Sequence, residues 1–202
     1  MASLQPSRLA RALAAIDAAN AGDPHTLLVR GSLRPKELAH AELVSEWVQA
    51  LRPDASEALL LAARAHHVRR WEIPRGDFPE GRAGYHRWRR ALHAHHAEIL
   101  GAILADAGYD ATTARRARAI VTKQGLGRDP EVQVLEDALC LVFLETQLRD
   151  IAGRLPGDKL LDVTRKTLAK MSGAAIARAR ALPLDAESRA LLERAAAPDT
   201  LE

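Results

Sequence analysis

Cysteine is almost absent: the chain of 202 residues carries one, Cys140, inside the apolar run LCLVFLE. No intramolecular disulfide can form, and a lone thiol among apolar neighbours reads as a core residue rather than a nucleophile. That usage suits a reducing compartment and sets the expectation of a cytoplasmic protein. Long apolar runs are missing too. A membrane helix needs roughly 18 or more apolar residues, and LCLVFLE is closed by acids on both sides, so no membrane span is expected. There is no Lys/Arg tract either, so the net charge of +3 and pI near 9.3 favour anionic small molecules over nucleic acid as partners. Finally, no stretch alternates polar with β-branched residues, which argues against a sheet protein.

What is present is helical patterning. Hydrophobic residues are 48% and charged residues 27% of the chain, the balance of a folded globular protein, and the length fits one domain, residues 1–202. The opening segment MASLQPSRLARALAAIDAAN has arginines but no acid before Asp17, as a transit peptide would; lacking a signal-peptide core, it reads as a first amphipathic helix from Pro6 to Asn20. His25 to Ser32 reads as a short extended piece or loop. Pro35 opens a second helix running to about Leu51, and Asp54 caps a third, Ser56 to Val68, apolar nearly all round and therefore central.

WEIPRGDFPEGRAGY then forms the longest loop. Helices follow from Tyr85 to Ala107, Ala111 to Lys123, Asp129-Pro130 to Gly153 and Leu160 to Ala181, with a last one capped by Asp185. The expectation is an all-α bundle of seven to eight helices. The terminal Leu201-Glu202 reads as a cloning remnant.

Three places put metal-competent side chains where the pattern expects apolar ones. His66 and His67 end the apolar third helix. On the long helix, His96 falls near the centre of the stripe formed by Trp88, Leu92, Ile99 and Ile103, with His95 at its edge. Asp137 shares a face with Leu141, Leu144 and Leu148, where an unpaired carboxylate is costly. Taken singly, a core histidine is ordinarily a hydrogen-bonded structural residue, and Asp137 could equally pair with an arginine. Convergence of several such positions is what points to a metal.

The loop supplies a second set. Arg69, Arg70, Arg75, Arg82, Arg87 and Arg89 flank it, and guanidinium forks suit phosphate or carboxylate. With Tyr85 and Lys123, the residues Arg69, Arg70, Arg75, Arg82 and Arg89 are the candidate anion-binding set. Some of them could instead pair with Glu72, Asp77 and Glu80 and simply pin the loop. Trp71, Tyr85 and Trp88 either wall a ligand site or staple the loop. Lys170-Met171-Ser172 matches the start of the KMSKS signature of class I aminoacyl-tRNA synthetases, but Gly173 breaks it and no Rossmann pattern accompanies it. It is read as coincidence.

LAHAELVSEWV, LLLAARAHHVRRW, HHAEILGAILADAGYD and LEDALCLVFLE resemble the HD superfamily of metal-dependent phosphohydrolases. Under that resemblance His40 stands for its first histidine and His66 for the histidine of the His-Asp pair. His67 stands for the pair's aspartate, His96 for a second-metal histidine and Asp137 for the final aspartate. The pair here reads His-His. More specifically, HVRRWEIPR followed by GRAGYHRWR resembles a family of unknown function (domain of unknown function 4202), over nearly the full length. That family matches at His67, His96 and Asp137.

The resemblance implies an HD-domain-like fold and a divalent metal (Mn, Fe, Ni or Zn) on His40, His66, His67, His96 and Asp137. Asp137 and His67 are then the expected catalytic residues, and a small phosphorylated or otherwise anionic metabolite the expected substrate. A metal-dependent oxygenase is a variant. The competing expectation is a non-catalytic HD-like module that binds an anion or a protein partner through the arginine loop. A homodimer through the helices from Leu160 onward is a further expectation.

Overall fold

The structure is a computed structural model that describes residues 6–197; Leu201-Glu202 lies outside the described residues. It is all-α apart from one hairpin. The elements are α1 (Arg8–Ala21), β1 (Thr26–Val29), β2 (Ser32–Pro35), α2 (Lys36–Leu51), α3 (Glu57–Ala65), α4 (Gly81–Asp106), α5 (Ala111–Val121), α6 (Pro130–Thr146), α7 (Leu148–Ala152), α8 (Gly157–Leu168), α9 (Gly173–Arg180) and α10 (Ala186–Ala196). Short 3-10 turns cover Arg70–Glu72 and Arg75–Asp77. By its contacts the chain divides into two compact units, Met1–Leu135 and Glu136–Glu202, with the boundary inside α6.

In the first unit α3 is the hub, packed on α1, α2 and α5, while α4 packs on α5. Leu59, Leu61, Ala62, Ala63 and Ala65 of α3 have no exposed surface. The small alanines let neighbouring helices approach closely, and each buried leucine contributes roughly 1.5–3 kcal/mol. Ser7 and Ser56, not Asp54, cap α1 and α3, accepting from Ala10 N and Leu59 N at 3.2 Å each. The extended piece near His25 is one arm of an antiparallel hairpin whose two-residue turn, Arg30-Gly31, has positive φ at both positions.

Several boundaries differ from the sequence reading. α3 stops at Ala65 instead of Val68, because Arg69 adopts φ 49° with its backbone N–H on Asn20 Oδ1 at 3.0 Å. α4 starts at Gly81, so GRAGY is helix, not loop. The two long C-terminal helices are each broken, at Gln147 and before Ser172, giving α6/α7 and α8/α9.

In the second unit α8 and α10 pack together and both touch α7. Ser172 caps α9, accepting from Ala175 N, and Asp185 caps α10 as expected, accepting from Ser188 N. Among the described residues no helix is long and apolar enough to cross a membrane.

Candidate metal centre

The end of α3 and the turn that follows it bring His66 and His67 against His40 of α2. The three residues each offer a ligand atom, and these atoms lie within 4.8 Å of one another. His40 Nδ1 is 2.9 Å from His66 Nε2. The rings form a compact stack, with His66 and His67 centroids 4.2 Å apart and His40 and His67 centroids 5.1 Å apart. His96, on the inward face of α4, follows with its centroid 5.9 Å from that of His67. Three close histidines of this kind can hold a metal ion.

Ring orientation follows from the partners. His66 Nδ1 lies 2.8 Å from Ala63 O, His96 Nδ1 2.9 Å from Val68 O and His67 Nδ1 3.0 Å from Glu37 Oε2. Carbonyls only accept, so His66 and His96 donate from Nδ1; the His66 Nε2 lone pair then accepts from His40 Nδ1–H at 2.9 Å, a bond a metal on His66 would displace, whereas the His96 Nε2 lone pair meets no donor among the described residues. The same Nδ1–H assignment holds for His67 when Glu37 is ionised, above the pH of about 7 to which burial raises its carboxyl. This is the pattern of metal-ligating histidines, whose second nitrogen is tied to a carbonyl or carboxylate. His96 Nε2 is buried without a hydrogen-bond partner in the described residues, a cost of roughly 1–3 kcal/mol for an acceptor left unmet. An orphaned lone pair beside three other imidazoles fits a cation.

Electrostatics keep these rings neutral. Burial lowers His40 to about 4 and His96 to about 3, with Lys36 and Arg70 adding to the first and Arg70 to the second. Burial, then neighbouring histidines, holds His66 and His67 well below the ordinary histidine value, although the His67 side chain keeps 23% of its surface. Neutral imidazole is the form that binds metals.

Glu37 was not singled out in the sequence, yet it is nearly buried, at 4% exposure, and holds His67. Burial raises its carboxyl to about 7, opposed by Arg70 and Lys36. Its own backbone N–H donates to Asp23 Oδ2 at 2.9 Å, so Asp23 caps α2 from across the hairpin where Pro35 cannot. The signal was available: Glu37, His40, Ala41, Val44 and Val48 are all buried at helical spacing on α2.

The arginine set divides. Arg69 is tied to Glu72 at 2.7 Å, while its carbonyl accepts from His95 Nε2 at 3.1 Å. Arg75 knots the loop, donating to Phe78 O at 2.8 Å and Pro79 O at 3.0 Å. Arg70 is different: its guanidinium lies over Trp88 at 4.8 Å from the ring centroid and 3.9 Å from Glu37 Oε1, close to Arg89. Trp88 is held in turn by its indole N–H on Ile73 O at 2.9 Å.

Arg89 and Arg82 reach the ring nitrogens of His93 and His86, at 3.4 Å each. Tyr85 is 45% exposed beside Trp88. Lys123, at φ 59° beyond α5, lies near enough to His66 to help depress it. Asp137 is buried in α6, and within the second unit its oxygens accept from Ser172 N at 2.8 Å and Ser172 Oγ at 2.6 Å.

Proteins of the family described as a domain of unknown function (DUF4202) match residues 10–192, and the chain belongs to that family. No curated protein and no solved structure matches it.

Proposed function

We propose that the chain is an HD-like, metal-dependent hydrolase of a small phosphorylated or otherwise anionic metabolite. The observation that carries the reading is the cluster of His40, His66 and His67 with ligand atoms inside 4.8 Å, joined by the unpartnered Nε2 of His96. These four side chains are the proposed ligands. A divalent Mn, Fe, Ni or Zn ion held there would supply Lewis acidity for attack by water. An oxygenase built on iron is the variant that imidazole ligands also allow.

The chain's own residues then have defined tasks. Ala63 O, Val68 O and Glu37 orient the rings. Arg70, stacked on Trp88, with Arg89, Arg82, Tyr85 and Lys123, binds the anion; Arg69 and Arg75 serve the loop. The proposal rests on the histidines; Asp137 is held within the second unit by Ser172. A cytoplasmic location and a homodimer through the helices from Leu160 onward belong to the same proposal.

A non-catalytic module remains the second reading, favoured by two observations: both Asp137 oxygens are engaged by Ser172, and the His-Asp pair of HD enzymes reads His-His here. Reconstitution with each of the four metals, followed by phosphate-release assays on phosphomonoesters and nucleotides, separates the two. Turnover that is lost in His67→Ala supports the hydrolase. Saturable anion binding without turnover in any metal form supports the module.

A further inference from the structure

Three histidines near the cluster are locked by acceptors, but only one of those acceptors is a side chain. His66 leans on Ala63 O and His96 on Val68 O, both backbone atoms supplied by the end of α3 and the turn after it. His67 has no backbone acceptor on its Nδ1; it depends on Glu37 Oε2 at 3.0 Å. Glu37 is itself fixed. Its backbone N–H is bound by Asp23 Oδ2 at 2.9 Å, its side chain is 5% exposed, and its second oxygen faces Arg70 at 3.9 Å. His67 is also the most exposed of the four rings, so without a partner it is the one free to rotate or change tautomer.

We propose that Glu37 is the outer positioning residue of the histidine centre, fixing His67 as the Nδ1–H tautomer so that Nε2 is presented as a ligand beside His40 and His66. The inference rests on the metal-centre reading for its purpose, but the tautomer itself does not. A ring released from Glu37 reverts toward the Nε2–H form that free histidine side chains favour in water. Its lone pair then sits on Nδ1, facing α2 instead of the neighbouring rings. The bond requires an acceptor, not a catalytic base, so glutamine, which keeps a carbonyl oxygen at the same reach, should substitute for it where alanine cannot.

The test uses the full chain, wild type and as Glu37→Ala and Glu37→Gln. Long-range nitrogen–proton NMR on the metal-free protein, recorded well above the pH of about 7 to which burial raises the Glu37 carboxyl, reports the His67 tautomer. Cobalt(II) titration, followed by its visible absorption, reports the centre. The expectation is Nδ1–H in the wild type and in Glu37→Gln, and Nε2–H in Glu37→Ala. Cobalt affinity should fall roughly 10–100-fold in Glu37→Ala and stay within about threefold of wild type in Glu37→Gln.

An unchanged tautomer in Glu37→Ala overturns the positioning role. Equal cobalt loss in both variants overturns it as well, because charge rather than hydrogen-bond acceptance would then be at work. Should the wild type take up no cobalt while the tautomer shift occurs, the metal-centre reading falls and the positioning of His67 by Glu37 stands.

Discussion

Replacing Gly84 by alanine sets two physical effects of opposite sign against each other. Gly84 lies within α4, where alanine is favoured over glycine by about 1 kcal/mol, so local propensity predicts a more stable protein. A Cβ at this position, however, would sit 1.8 Å from Pro79 O and 2.6 Å from Pro79 C. Both are backbone atoms, so no side-chain rotation relieves the overlap, and Pro79 must retreat by well over 1 Å. Pro79 O also accepts from Arg75 Nη2 at 3.0 Å, in the same knot as Phe78 O.

Overpacking costs about 1–3 kcal/mol, and losing a hydrogen bond from a charged donor costs about 1.5–3 kcal/mol. Net of the propensity gain, Gly84→Ala should destabilise by about 2–4 kcal/mol, a fall in Tm of roughly 5–15 °C for a chain of this size. Thermal unfolding by circular dichroism measures it directly. A variant as stable as wild type, or more so, would show that Pro79 does not approach Gly84 and that the loop path described here is wrong.

Other outcomes follow from the same geometry. Asp137→Ala leaves Ser172 N–H and Oγ–H without their acceptor and should cost the second unit about 2–4 kcal/mol, seen as an earlier melting transition; a change under 0.5 kcal/mol by denaturant titration would refute the anchoring role. Arg70→Gln should weaken pyrophosphate binding by roughly tenfold or more, whereas Arg75→Gln should lower stability and leave binding within about threefold of wild type; calorimetry on both variants distinguishes the pair, and the reverse binding pattern would contradict the division of the arginines.

For pH, His40 and His96 titrate near 4 and 3 when folded, against 6.5 ordinarily. The unfolded chain therefore takes protons first. Each ring therefore lowers the stability of the metal-free protein by up to about 1.4 kcal/mol per pH unit as pH falls from 6.5 toward 4, while Glu37, raised to about 7, works the other way and offsets roughly one of the two rings between pH 7 and 4.5. Denaturant midpoints that stay flat between pH 7 and 5 would contradict the buried neutral histidines.

The sequence exposed the hub and the histidines for one reason: helical periodicity reports burial, so polar residues on the α3 and α4 stripes stand out. His96 was readable this way, and Asp137 was rightly placed on a buried face with Leu141, Leu144 and Leu148. Periodicity does not report partners. Asp137 meets Ser172, 35 residues on, through the turn between α8 and α9 that interrupts the helix read there. Glu37 was passed over because an acid in the first turn of a helix is ordinary on dipole grounds; only its spacing to His40 and Val44 betrays it.

The start of α4 was misread because GRAG looks like loop. Gly84 is glycine because Pro79 lies against it, a tertiary cause invisible to local patterning. Of the hairpin, the extended piece from His25 was legible as one of two options, but its pairing escaped because four-residue strands carry too little alternation to detect, although Arg30-Gly31 supplied the turn.

The central claim is that the four imidazoles hold a divalent metal. Elemental analysis of protein purified without chelator or a metal-bearing tag tests it most directly. The account predicts close to one equivalent of manganese, iron, nickel or zinc, retained through dialysis and lost in a His66→Ala, His67→Ala double variant that still folds. A chain that carries no metal, and takes up none when each of the four is added, would contradict it.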